Sequence, residues 1–442
     1  MFITNNIVYG GKSGYIVECD NDKEINFFID YINQIEEKLV PQPHYENGLY
    51  NLNRTMPSSG GMNLSDTCQL RCNYCAFSSG GIEKKTLQID DAKAYVDFLF
   101  RNAKIKEIIC SIKPYVRISF AGGGEPTFKW DLLKQITEYA KNLSIDNNIK
   151  LQLNITTNGI LDDKKIAYLC STFDSIMVSY DGISTVQNEN RTGSEKNHTN
   201  KIVEHTIETL LNLEAAVTIR TTVWPHQYHM LKNMRDNIFK NYNKIKSWEV
   251  NPVNYVGRAK SNIKTDNPTL KFYKYYYDLK QSSTYEISKR ISSAWFSKYS
   301  FYYICGTAFG SYPWLNSDGR ILSCLDARDY GESLGQISGN KIYFNDYSDN
   351  ISVKHIESLK ERCYNCIAFI HCGGGCPLKN KEAVCLTEDE VYYSNIECEN
   401  KKQYWRMVIE GSMKGTILND MKLETVDCIN GKNIFRLVAK GE

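Results

Sequence analysis

Three cysteines stand close together in the stretch Asp66-Thr67-Cys68-Gln69-Leu70-Arg71-Cys72-Asn73-Tyr74-Cys75, spaced C-x3-C-x2-C. Thiolates are the ligands that iron–sulfur clusters take from proteins. Three of them on one short loop can hold three corners of a cubane [4Fe–4S] cluster. The set is one short of four, which leaves one iron open to an outside ligand. An open coordination position is where a metal centre does chemistry. Zinc and a disulfide knot are the alternatives at this point, zinc needing paired C-x2–4-C spacings or a ligand borrowed from elsewhere in the chain.

A second stretch bears on the same chemistry. Val116-Arg117-Ile118-Ser119-Phe120 is a β-branched and aromatic run that reads as a strand. It ends in Ala121-Gly122-Gly123-Gly124-Glu125-Pro126-Thr127. Three glycines at a strand end expose backbone that a ligand can approach closely, with Glu125 placed to assist. Taken alone, such an end is also an ordinary turn.

Together the two motifs, about fifty residues apart and in this order, resemble the radical SAM superfamily. The resemblance implies that Cys68, Cys72 and Cys75 hold a [4Fe–4S] cluster, with Tyr74 at the aromatic position of the loop. It implies that the open iron takes the amino and carboxylate groups of S-adenosylmethionine (SAM). Gly123, Gly124, Glu125 and Pro126 then contact the methionyl amine, and Asn158, at a later strand end, is a further SAM contact. Ser179-Tyr180-Asp181-Gly182, with Arg191 ten residues past Asp181, resembles the S-x-D-G…R element of the peptide-modifying branch. That places Ser179 near the SAM ribose and Arg191 on the SAM carboxylate, which a planar guanidinium matches bidentately. A turn followed by a solvated arginine is the alternative. Asn251-Pro252-Val253 followed by Gly257-Arg258 stands where the family often has a G-R segment after the last strand, with no role assigned.

A further cysteine array lies towards the carboxyl end. Cys305, Gly319 and Cys324 read C-x13-G-x4-C, and Cys363, Cys366, Cys372 and Cys376 read C-x2-C-x5-C-x3-C, with Cys398 after a gap. These spacings resemble the SPASM domain, which binds auxiliary [4Fe–4S] clusters. The family's interleaved pattern assigns Cys305, Cys324 and Cys376 to a first auxiliary cluster. It assigns Cys363, Cys366, Cys372 and Cys398 to a second. The first is then one thiolate short, open to a substrate thiolate, a carboxylate or Cys385. Cys19, Cys110, Cys170 and Cys428 fit no motif and read as structural thiols.

These sites must be positioned by something. From Met62 to about Tyr255 strand-like and helix-like runs alternate: strands at 62–66, 117–120, 151–156, 175–180, 216–223 and 248–253, with helices between. Repeated strand–helix units imply a parallel sheet with helices outside, whose ligands sit at the carboxyl ends of the strands. The fold class expected is α/β: a partial (β/α)6 radical SAM barrel, then a small cysteine-rich SPASM domain, with a small N-terminal ββα preamble. The expected divisions are 1–60, a cap or reduced leader-binding module; 61–258, the barrel; 259–300, a helical connector; 301–400, the SPASM domain; and 401–442, a helix and hairpin. Gly10-Gly11-Lys12-Ser13-Gly14 lacks the full P-loop spacing, because Asn6 stands where its first glycine belongs, and reads as a turn.

Composition closes off several classes. The chain has 442 residues, a net charge of +2 and fifteen cysteines. Near-neutral charge implies no nucleic-acid partner. No run of about 18 apolar residues implies a membrane span, and the start lacks the basic and apolar regions of a signal peptide. Fifteen cysteines without such a signal fit metal ligation in a reducing, cytoplasmic setting.

The function expected is that of a radical SAM maturase acting on a ribosomally made peptide and forming a thioether or other cross-link. Its cofactors are SAM and three [4Fe–4S] clusters, one SAM-binding and two auxiliary. Its partners are a peptide or protein substrate and an electron donor such as flavodoxin or ferredoxin. Two extra clusters suit a net oxidation, since a substrate radical that forms a new bond must shed one more electron. The rivals are an anaerobic sulfatase-maturing (formylglycine-forming) enzyme, a dehydrogenase of small molecules and a non-catalytic metal scaffold. The sulfatase-maturing family typically has an aspartate base directly after the second SPASM cysteine. Here Leu325 holds that place and Asp326, the candidate catalytic residue, comes one later.

Overall fold

The computed structural model describes residues 2–4, 6–11, 13–38, 56–80, 85–111, 113–193, 199–253, 257–262, 268–281, 291–292, 311–325, 333–345, 363, 366–372, 388–415 and 421–439. Two compact units make up the chain, residues 1–46 with 266–305 and 352–442, and residues 47–265 with 306–351.

The amino-terminal piece of the first unit holds β1 (Phe2–Thr4), β2 (Ile7–Tyr9), β3 (Tyr15–Glu18) and α1 (Asp22–Lys38). Asn21 starts the helix by accepting from the amides of Lys23 and Glu24, and Asp22 and Glu24 suit the positive end of the helix dipole. Gly11 and Ser13 each lie in a turn, and the Gly14 amide donates to the Gly10 carbonyl at 2.9 Å. Ser13 donates its amide and hydroxyl to the buried Glu36 carboxylate, at 2.9 and 3.0 Å.

The second unit is built on β4 (Ser59–Met62), β5 (Tyr115–Phe120), β6 (Lys150–Thr157), β7 (Ser175–Ser179), β8 (Val217–Val223) and β9 (Ser247–Pro252). They lie in chain order and pair in parallel throughout. The returning segments are α2 (Ile89–Cys110), α3 (Trp130–Asn147), α4 (Asp163–Thr172), α5 (Ser184–Asn190), α6 (Asn200–Asn212) and α7 (Leu231–Asn241). This is the expected partial (β/α)6 barrel. Alternation sets its faces: in β5, Val116, Ile118 and Phe120 are buried while Arg117 and Ser119 are half-exposed.

Two elements depart from the sequence-based expectation. The first strand is not 62–66 but Ser59–Met62, three residues earlier than expected. Its glycines are there for packing, not propensity: a Cβ on Gly60 would lie 2.2 Å from the Tyr95 hydroxyl, and one on Gly61 2.4 Å from the Trp314 ring. The short polar helix α5 was not expected at all, since Ser-Thr-Val-Gln-Asn-Glu-Asn carries no apolar periodicity.

Residues 306–351 extend this sheet. β10 (Trp314–Leu315) pairs in parallel with β4, and β11 (Arg320–Leu322), β12 (Gly335–Ser338) and β13 (Lys341–Phe344) follow as an antiparallel meander. Asn316–Gly319 turns between β10 and β11, the Gly319 amide donating to the Asn316 carbonyl at 3.0 Å with Gly319 at φ 84°. Cys324 therefore shares a compact unit with the barrel. Residues 352–442 belong to the other unit, so compactness divides the expected 301–400 segment in two.

The first unit is completed by α8 (Pro268–Gln281), α9 (Phe369–Cys372), α10 (Glu388–Met413), β14 (Met421–Ile429) and β15 (Lys432–Ala439). β14 and β15 form the expected hairpin about Asn430 and Gly431, both at positive φ, 52° and 78°, as a type I′ turn requires. β15 pairs antiparallel with β3, Phe435 opposite Ile16 and Arg436 opposite Tyr15. The sheet order is β1-β2-β3-β15-β14. Val8, Val17, Phe28, Ile32 and Ile434 form its core, so the preamble and the closing hairpin are one structure.

Candidate functional site

The three-cysteine loop leaves the carboxyl end of β4 and folds back on itself. The Leu70 amide points at Cys68 Sγ (3.3 Å), and the Ser79 amide at Cys75 Sγ (3.4 Å). Asn158, at the end of β6, donates its side-chain amide to Cys68 Sγ at 3.6 Å. Burial pushes the Cys68 thiol up to about 12, with Glu125 adding to it, and burial pushes Cys72 up to about 11. Bare thiols here stay protonated, and bound iron is what would stabilise them as thiolates. Gln69 Oε1 and Ser79 Oγ are buried with no hydrogen-bond partner, the kind of atom that a bound polar group satisfies. The donor set and these orphaned atoms fit a cluster carrying a polar ligand. No group of three His, Cys, Asp or Glu side chains among the described residues meets the geometry for a single metal ion.

The glycine-rich end of β5 lies directly on this loop. The amides of Gly124 and Glu125 donate to the carbonyls of Ser65 and Thr67, both at 2.8 Å. A Cβ on Gly124 would lie 1.9 Å from the Thr67 carbonyl oxygen, and one on Gly123 2.3 Å from the Asn63 amide. The close approach that these glycines permit is thus made in part by the protein's own chain. Gly122, at φ 77°, is covered by Leu325, whose Cδ2 would stand 2.0 Å from an added Cβ. Glu125 is buried and fully engaged. Its Oε1 accepts from the Thr127 amide and hydroxyl and the Thr157 hydroxyl, and its Oε2 from the Asn158 amide at 2.7 Å. Burial raises its pKa, and these hydrogen bonds pull the other way. Its evident work is to lock the ends of β5 and β6 together.

The β7 end supplies a third part. Asp181 is fully buried. Its Oδ2 accepts from the Tyr74 hydroxyl (2.6 Å) and Asn190 (3.2 Å), and its Oδ1 from the Thr222 amide (3.2 Å). Arg191 forms an ion pair with Oδ1 at 3.2 Å and lies over the Tyr74 ring, 5.2 Å from its centroid. The cluster loop also runs antiparallel to residues 190–193, with Arg71 and Asn73 donating their amides to Thr192 and Asn190. The S-x-D-G…R element therefore touches the cluster loop itself, through an aspartate to which the sequence reading gave no role. Ser179 closes β7 and pairs in register with Arg220. The cluster loop, Gly122–Pro126, Asn158 and Asp181–Arg191 follow β4, β5, β6 and β7 respectively, each at a carboxyl end.

In the second cysteine array, Cys363, Cys366, Cys372 and Cys398 are described; Cys305, Cys376, Cys385 and Asp326 lie outside the described residues. Cys366 donates its amide to the Cys363 carbonyl at 2.9 Å, and α9 begins three residues on. Burial chiefly pushes up the Cys366 thiol, Cys372 and Cys398 push it the same way as like charges, and Lys402 opposes them. The first unit thus draws three of the four cysteines of the expected second auxiliary set near one lysine. Cys324, of the first set, directly precedes Leu325 and so lies one residue from the Gly122 contact.

Residues 62–237 match the model of the Radical SAM superfamily. The structure is similar to that of anSMEcpe with bound AdoMet and Cp18Cys peptide, with a TM-score of 0.60 at 16% identity, covering 81% of this chain and 99% of that one. It is similar to Streptococcus suis SuiB bound to S-adenosylmethionine, with a TM-score of 0.51 at 16% identity, covering 88% and 98%. It is also similar to SuiB bound to precursor peptide SuiA, with a TM-score of 0.52 at 16% identity, covering 86% and 96%. No helix among the described residues is long and apolar enough to cross a membrane. The matched span begins six residues before Cys68 and takes in the loop and the ends of β5, β6 and β7: this chain carries a radical SAM domain, followed by a SPASM-like cysteine-bearing region.

Proposed function

We propose that this protein is a radical SAM maturase that oxidatively modifies a ribosomally made peptide, forming a thioether or other cross-link. The peptide reading is carried by one observation: the two kinds of similarly folded protein, anSMEcpe and SuiB, were each solved with a peptide bound. When bound, a reduced [4Fe–4S] cluster and SAM supply a 5′-deoxyadenosyl radical that takes a hydrogen atom from the substrate. The chain's own residues do the positioning. Cys68, Cys72 and Cys75 hold the cluster. Gly123, Gly124, Glu125 and Pro126 set the floor against which the methionyl end lies, and Asn158, Ser179 and Arg191 complete the SAM contacts. Cys305, Cys324 and Cys376 hold one auxiliary cluster, and Cys363, Cys366, Cys372 and Cys398 a second, to receive the electron that bond formation releases. Asp326 is the candidate proton acceptor. Flavodoxin or ferredoxin is the reductant class that fits.

Leu325 favours this reading over formylglycine formation. It stands at the chain position where the sulfatase-maturing family typically carries its aspartate base, its isobutyl group lies on Gly122, and an alkyl group takes no proton. The test is anaerobic co-expression with a short cysteine-bearing peptide encoded alongside, with the Cys68→Ala variant as control. The expected result is a mass loss of two hydrogens per modified site, absent in the control and blocked by prior thiol alkylation. Unchanged peptide mass alongside 5′-deoxyadenosine release would sink the cross-link reading and leave the radical SAM chemistry standing.

A further inference from the structure

The segment after β9 reaches back to the cysteine loop. Arg258 donates from Nη1 to the Cys72 carbonyl, from Nη2 to the Ser79 carbonyl at 2.6 Å, and from its amide to the Cys75 carbonyl at 3.0 Å. One residue therefore satisfies three loop carbonyls, two of them on the second and third cysteines. Gly257 before it sits at φ 56°, and an added Cβ would lie 2.2 Å from the Ala76 carbonyl oxygen. Only glycine takes that backbone conformation at that separation without displacing the loop. Ala259 after it is buried in a cluster with Tyr74, Trp224 and Val253, against which Cys72 packs. Three consecutive residues thus grip the loop by backbone approach, by a forked cation and by apolar packing.

We infer that Arg258 is a positioning residue for the SAM-binding cluster: it fixes the loop from Cys72 to Ser79 and holds a permanent positive charge against the carbonyl of Cys72, one of the three thiolate ligands. This rests on the radical SAM assignment of that loop and goes beyond it. Within the loop, the Cys75 amide donates to the Cys72 carbonyl and the Ser78 amide to the Cys75 carbonyl; the Arg258 guanidinium adds the link between the Cys72 and Ser79 carbonyls, seven residues apart, so it braces the span that those turns leave open. A guanidinium presents donors in a fixed fork, whereas lysine presents one flexible point charge. Taking up an electron makes a thiolate-ligated cluster more negative. A fixed cation and hydrogen bonds at its edge therefore favour the reduced form and raise its potential. The two contributions separate by substitution: Arg258→Lys keeps the charge and loses the fork, and Arg258→Gln loses both.

The test uses the full-length, anaerobically reconstituted protein and the EPR signal that shifts on adding SAM, which distinguishes this cluster from any auxiliary one. Outer-shell partners of metal ligands typically contribute about 10–100-fold in metal affinity. In both variants the SAM-responsive signal should be lost at about ten-fold lower chelator concentration. Its midpoint potential should fall in Arg258→Gln and return towards wild type in Arg258→Lys. Wild-type chelator resistance and midpoint in Arg258→Gln would overturn the proposal. A midpoint equally low in both variants would overturn its electrostatic half. A wild-type protein with no SAM-responsive signal at all would instead refute the function proposed for the site.

Discussion

Asp181 binds Tyr74, Asn190, Thr222 and Arg191 at once, and the two sides of this network differ in kind. Removing the Tyr74 hydroxyl takes one donor from a carboxylate that keeps three partners, a loss of about 1.5–3 kcal/mol. Removing the carboxylate leaves Arg191 buried without its counter-charge, which costs about 3–5 kcal/mol. Denaturant melts of the cluster-free protein should therefore place Asp181→Ala clearly below Tyr74→Phe. If Asp181→Ala were the milder change, the ion pair would not be what holds the loop against β7. The sequence displayed the cysteine triad, the glycine-rich end and the S-x-D-G…R element, because each is written in adjacent residues. It did not display that Asp181 meets Tyr74 across 107 positions, or that Glu125 is shared with Thr157 and Asn158. Those pairings arise from strand register, which no local spacing records.

Among the elements, β4 is where local propensity and fold disagree most. Ser-Gly-Gly-Met has little intrinsic preference for a strand, yet it pairs with β5 on one side and β10 on the other. Its glycines admit the Tyr95 hydroxyl and the Trp314 ring, a requirement set by residues 35 and 253 positions away. Gly61→Val should raise β propensity and still destabilise, by about 1–3 kcal/mol, because overpacking dominates. Thermal melts would show it, and a stabilised Gly61→Val would mean that the Trp314 ring yields easily. By contrast β5 to β9 were legible, since their apolar runs are buried against helices and alternate as pleating demands. Helix α5 stayed hidden for the opposite reason: what buries Val186, Gln187 and Asn190 is tertiary packing about Asp181, not an apolar stripe.

At the scale of the molecule, the amino-terminal preamble is stable only in company. Its core residues Val8, Val17, Phe28 and Ile32 close on Ile434, and β3 is paired on its far side by β15. A small piece of three short strands and one helix buries too little to fold alone. Ending the chain after residue 415 should abolish hydrogen-exchange protection in β2, β3 and α1, with β5 to β9 unaffected. Retained protection in α1 would show that the preamble is self-sufficient. The sequence suggested the ββα pattern and the closing hairpin separately, as two small ends of a long chain. What joined them is a pairing between residues 16 and 435, the longest-range kind of contact and the least visible in a linear reading.

That pairing also orders events during synthesis. Chains emerge amino end first, and a segment folds when its partners are available. The strands of the barrel, Ser59 to Pro252, are all made before β15, so β4 to β9 can assemble while the ribosome is still translating. Val17 and Phe28, made before the barrel strands, have no complete core until Ile434, made after them, has cleared the exit tunnel. A segment made before the barrel is thus buried only after the barrel strands have been made. While the residues between Ile32 and Ile434 are being translated, its apolar side chains are open to whichever holdase chaperone meets them.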